Sequence, residues 1–191
     1  MTLNYRDKTD KEKFDHLFKL IKSDEFLGRK IAAMEIPFYI CPFEPKEARE
    51  MKKNIGGLTK KLEQNGVQVL SVDLYDLTLQ LLQKRNILDR VIEMEQNVAK
   101  DQLKELLQNV LDPEKYLIPA IAEIMSGREF HVMFLTGAGE VYPYLRVNHV
   151  LNNLHRVVSD KPVVIFFPGR YSQSGRDGAS LDLFGILKND R

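Results

Sequence analysis

The chain has 191 residues, 43% of them hydrophobic and 29% charged, and 28 Lys and Arg stand against 27 Asp and Glu for a formal net charge of +1. That balance excludes a broad electrostatic pull on nucleic acid or anionic membrane, so strong DNA binding by the chain alone is not expected. No stretch approaches the roughly 20 apolar residues that span a bilayer, and the start MTLNYRDKTDKEKFDHLF lacks a signal-peptide core; the expected compartment is the cytoplasm.

A length of this order suffices for one well-packed domain burying about 70% of its unfolded surface, without disulfide or metal staples. The single cysteine, Cys41, stands between apolar residues with no Cys/His metal spacing around it, and reads as a small core residue.

In chain order, Phe14, Leu17, Phe18 and Ile21 fall at helical spacing and predict a helix over 10–23, with Asp10 as its cap. The apolar run IPFYICPF, residues 36–43, has strand length and suits a strand buried on both faces. A charged amphipathic helix follows over 46–64, with Gly56 and Gly57 expected to loosen or bend it. VQVLSVDLY then alternates as a second strand over 67–73. Residues 76–126 read as a helical insertion with breaks near Asn86, at DPEKY and at Pro119. FHVMFLTG supplies a third strand over 130–136, a helix over 143–157 follows it, and PVVIFFPG holds a fourth strand over 163–167. The tail is rich in glycine and serine before a last apolar cluster at 181–187.

This alternation predicts a single α/β domain over 1–191: a mostly parallel sheet flanked by helices, with a P-loop-like core that has no Walker A motif. Such sheets bind ligands beyond the carboxyl ends of their strands, here the loops at 41–45, 73–76, 136–142 and 167–171.

In LTGAGEVYP, Gly137 and Gly139 satisfy the demand of a tight strand-to-helix turn, but a dinucleotide fingerprint needs a third glycine where Tyr142 stands. The GK followed by Ser or Thr of a P-loop occurs nowhere. Glu140 near the helix start would repel a phosphate, so the stretch reads as a capped corner with Pro143 at the first helical position. The helix after it is expected to bury Tyr144, Val147, Leu151, Leu154 and Val158 and to present Arg146, His149, Asn153 and Arg156, either a solvated face or a protein interface. In FFPGRYSQSGRDG, Pro168 and Gly169 predict a sharp exit turn into a mobile loop, where Arg170 and Arg176 offer an anion or an acidic partner a contact. Asp73 and Asp76 end a strand as magnesium ligands often do, but no phosphate loop accompanies them. His16, His131, His149 and His155 lack metal spacing, His131 reading as a hydrogen-bonded core histidine, and no GxSxG elbow exists. No catalytic residue, cofactor site or metal site is therefore assigned.

The stretch FLTGAGEVYPYLRVNHVLNNL, with KPVVIFFPGRYSQ and LDLFGIL, resembles the BrxB family, a small core component of BREX bacteriophage-defence systems. The resemblance covers the chain broadly and is most specific over 134–184. It implies a role in phage exclusion beside other BREX proteins, foremost the alkaline-phosphatase-like PglZ, and brings no established catalytic residues. Family members typically continue past the LFG segment, whereas this chain stops at KNDR, which implies a trimmed end. The expectation is a non-enzymatic scaffold or adaptor, with Gly137, Gly139, Glu140, Tyr142, Arg146, His149, Asn153, Arg156, Gly169 and Arg170 as the candidate partner contacts. The competing expectation is a degenerate nucleotide-binding protein or sensor that uses Asp73, 137–140 and Gly169 at the strand ends.

Overall fold

Long apolar runs separated by amphipathic segments fold here as an α/β structure, a computed structural model that describes residues 9–28, 38–158, 160–174 and 178–184. The chain divides into two compact units, one of residues 1–71, 129–136 and 160–191, the other of residues 72–128 and 137–159.

The first unit carries the sheet apart from Val72 and Asp73, the end of its second strand. Strands β1 (Phe38–Phe43), β2 (Val69–Asp73), β3 (Val132–Thr136), β4 (Val163–Ser174) and β5 (Gly178–Leu183) lie in the order β1-β4-β3-β2, with β5 paired to β4 off that path. β4 runs parallel to β1 and β3, setting Phe38 opposite Val163 and Met133 opposite Val163. All four strands expected from the sequence are present; residues 36 and 37 of the first lie outside the described residues.

The fourth strand departs from expectation. Pro168 and Gly169 do not end it: β4 continues through Arg170 to Ser174 and pairs antiparallel with β5, from Gly169 opposite Leu183 to Ser174 opposite Gly178. Gly169 is required by close approach rather than by a turn. A Cβ there would overlap the Asp182 carbonyl oxygen and stand 2.9 Å from the Phe167 ring and 3.0 Å from the Phe184 nitrogen. Arg176 and the end of the apolar cluster, residues 185–187, lie outside the described residues.

Among the described residues, two α-helices belong to this unit. α1 (Asp10–Ile21) is capped by Thr9 rather than Asp10. The Glu12 amide donates to the Thr9 hydroxyl, and the Glu12 carboxylate accepts from the Thr9 amide at 2.9 Å, the reciprocal pair of a capping box. α2 (Ala48–Glu63) follows a short turn at Pro45–Glu47 and runs unbroken through Gly56 and Gly57, so the expected interruption is absent. Met51, Ile55, Leu58 and Leu62 line its apolar stripe and hold it continuous. They share a core with Leu17, Ile21, Cys41, Val132, Phe134, Val164 and Phe166. The strand residues alternate, as one face of a pleated sheet must.

The second unit is helical: α3 (Leu74–Lys84), α4 (Leu88–Asn97), α5 (Lys100–Val110), a π-turn at Pro113–Leu117, α6 (Ile118–Met125) and α7 (Val147–Leu154). The expected break at Asn86 is real, and its φ is positive at 55°. DPEKY forms the π-turn, Asp112 capping it through the Lys115 amide at 2.9 Å. Pro119 does not break the chain but sits in the first turn of α6, where proline's missing N–H costs nothing. A further break at Val98 and Ala99, separating α4 from α5, has no proline or glycine to announce it.

Candidate functional site

The corner after β3 is built on the first turn of α3. Asp73 ends β2 and caps that helix, its Oδ1 accepting from the Tyr75 amide at 3.0 Å and the Asp76 amide at 3.2 Å. Asp73 is thereby a cap, and among the described residues no group of three or more His, Cys, Asp or Glu stands together as a metal site. Against this turn lies Gly137, whose φ of 78° is the left-handed conformation the sequence called for. A Cβ there would meet Asp73 Oδ1 at 2.6 Å, the Tyr75 nitrogen at 2.9 Å and the Leu74 nitrogen at 3.0 Å. Gly139 lies two residues on, in the turns that follow.

The segment 138–144 is a run of turns and not the start of a helix. Ala138, Val141 and Leu145 are buried and anchor it, the Glu140 amide donating to the Gly137 carbonyl and the Leu145 amide to the Val141 carbonyl. Pro143, joined to Tyr142 by a cis peptide bond, precedes α7 instead of opening it, and Glu140 lies in the turn rather than at a helix start. The helix begins at Val147, with Arg146 at its cap position and no side-chain capping bond.

This later start changes which face of α7 is inside. Val147, Val150, Asn153 and Leu154 are buried, while Leu151 and Tyr144 are half-buried. Asn153 is therefore not part of a polar outer stripe; it is 6% exposed, and its Nδ2 donates to the His149 carbonyl at 2.9 Å. Arg146 and His149 remain exposed, and the exposed Arg156 is ion-paired to Glu114 of the π-turn. Tyr142 is half-buried and Glu140 exposed. Beside them Tyr144 has its hydroxyl pKa raised, chiefly by burial, with Thr78 hydrogen-bonding to it and pulling the other way. Tyr75, 40% exposed in the first turn of α3, adds another aromatic.

The structure thus brings Gly137, Gly139, Glu140 and Tyr142 into one turn segment and leads it directly into Arg146, His149, Asn153 and Arg156. Gly169 and Arg170 belong to β4 in the other unit, Arg170 exposed and opposite Asp182 across the strand pair. Sequence reasoning missed Glu114, Thr78 and Tyr75. Asp73 followed by Asp76 did carry a helix-start signal, an acceptor at the cap and a carboxylate in the first turn.

Elsewhere, burial pushes the Cys41 thiol up to about 12, leaving a protonated core side chain at neutral pH. The His131 Nδ1 accepts from the Gln68 amide at 2.9 Å, so the expected hydrogen bond is present, but the residue is half-buried and not in the core.

Comparison with known proteins adds a family. The family model described as "BREX protein BrxB" matches residues 70–191. A protein of Bacillus cereus (strain H3081.97) named BREX protein BrxB is 31% identical over 183 residues, covering 94% of this chain and 92% of its own. One of the same name from Escherichia coli O9:H4 (strain HS) is 25% identical over 152 residues, 80% of this chain and 75% of its own. No solved structure matches the chain.

Proposed function

Because the chain belongs to the BrxB family of BREX proteins, we propose that it is a non-catalytic adaptor that binds a PglZ-type protein within the phage-defence assembly. The observation that carries the non-catalytic half is the position of the Asp73 carboxylate. It already takes the Tyr75 and Asp76 amides at the start of α3, two of the donors that a phosphate at this strand end would need, and its charge repels an anion. Gly137 packs against that same carboxylate, so the corner is filled by the chain's own groups.

On this reading, what the corner offers is surface. The half-buried Tyr142 ring supplies contact area with its body already held, and the exposed Arg146 supplies directed donors; tyrosine and arginine are favoured interface anchors. Replacing Tyr142 or Arg146 with alanine is expected to weaken association with the PglZ-type protein by about 2 kcal/mol, roughly 30-fold, with little change in melting temperature. A fall in melting temperature that accounts for the whole loss would make Tyr142 a packing residue and remove it from the interface.

Thermal denaturation with ATP or GTP and magnesium tests the alternative. The expected result is no shift; a nucleotide bound at a hundred times its dissociation constant would stabilise the chain by about 2.7 kcal/mol and overturn the adaptor reading in favour of a sensor.

A further inference from the structure

The outward face of α2 breaks the rules that its inward face obeys. Arg49, Lys53 and Lys60 are exposed and, at 100° per residue, fall within about 40° of one another, opposite the buried Met51, Ile55, Leu58 and Leu62. Among the described residues none of the three side chains has an ion-pair or hydrogen-bond partner. Arg49 and Lys53 are a like-charge pair four residues apart, which weakens a helix. Between the cations stand Gly56 and Gly57, both exposed, in the middle of the helix where glycine is the poorest choice after proline. Neither has a positive φ, and a Cβ at either would meet nothing within 4 Å. Nothing within the described chain asks for glycine or for unpaired cations here. Local choices that oppose the local structure mark a face shaped for something outside it.

The geometry points to an acidic helix of a companion BREX protein as the occupant, crossing α2 at Gly56 and Gly57. The distance between two crossing helices is set by the side chains at the contact, and glycines let the backbones come closest. Carboxylates on either side of such a crossing reach Arg49 and Lys53 towards the start of α2 and Lys60 towards its end, a span of about 16 Å. A nucleic-acid backbone would use the same cations, but it has no use for the glycines, whose amides are committed within the helix, and a chain of net charge +1 holds polyanions weakly. The exposed Glu50 and Glu63 lie on opposite flanks of the stripe and would confine a carboxylate-bearing partner to it.

This inference rests on the adaptor reading and names a second surface and its partner's chemistry. The test titrates the full chain with the purified PglZ-type protein and with each other BREX component in turn. Gly56→Ala with Gly57→Ala is expected to raise the melting temperature, since both positions are open and alanine favours helix, while weakening one association at least tenfold. Arg49→Glu, Lys53→Glu and Lys60→Glu together are expected to abolish that association, and the wild-type affinity should fall as salt rises. Companion binding that persists at wild-type strength in both variants overturns the inference and leaves the adaptor reading standing. A lowered melting temperature in the alanine pair, or a DNA duplex that binds wild type at physiological salt and is lost in the triple variant, also overturns it. Failure of every component to bind the wild-type chain removes the adaptor reading and this inference together.

Discussion

Gly137→Val is expected to destabilise the chain by about 3 kcal/mol, within a range of roughly 2 to 5. A β-branched residue at a φ of 78° carries about 1 to 3 kcal/mol of backbone strain. Its Cβ would also stand 2.6 Å from Asp73 Oδ1. The carboxylate can swing away, but only by leaving the Tyr75 and Asp76 amides, and a lost cap costs about 0.5 to 2 kcal/mol. The Leu74 and Tyr75 backbone nitrogens, at 3.0 and 2.9 Å, belong to the helix and cannot yield so easily. Chemical denaturation measures the loss, and combining the valine with Asp73→Ala should give less than the sum of the single effects, because both remove one contact. Strict additivity, or a loss below about 1 kcal/mol, would mean that Gly137 does not hold the cap in place.

Phe134→Ala is expected to cost about 3 to 5 kcal/mol, the range for deleting a large buried aromatic. Phe134 is fully buried in β3, its ring edge-on to Phe166 of β4 at 5.3 Å and 77°. Leu17, Ile21, Met51, Leu58 and Leu62 of α1 and α2 share the same core, so the cavity would open where helix meets sheet. Natural domains are held by about 5 to 15 kcal/mol, so this single change should remove a large share of the chain's stability. Denaturation midpoints decide it, and a loss under about 1.5 kcal/mol would show that the core closes over the gap.

What was legible in the sequence was what burial writes directly. The runs around Tyr39, Leu70, Phe134 and Ile165 do form strands, but only the last two are buried along their apolar run; among the described residues of the first, expected to be buried throughout, only Ile40 and Cys41 are. What was hidden depended on partners distant in sequence. Pro168 and Gly169 look like an exit because both usually punctuate strands; only the approach of Asp182 and Phe184 shows that the glycine makes room for β5. The corner misled for a related reason. Ala138, Val141 and Leu145 keep a spacing that suits helix, yet their burial pins a series of turns, and the helix starts at Val147 with Asn153 inward. Gly137 could be foreseen as a positive-φ residue, but not as the residue that seats the Asp73 cap. Asp10 looks like the cap because aspartate favours that position, yet Thr9 followed by Glu12 spells a capping box.

The most direct test of the adaptor account is a calorimetric titration of the PglZ-type protein into the wild-type chain and into the Tyr142→Ala and Arg146→Ala chains, with melting temperatures taken on the same samples. The account predicts measurable association with the wild type, roughly 30-fold weaker in each variant, at nearly constant melting temperature. Equal affinity for all three chains, or no association with the wild type, would contradict it.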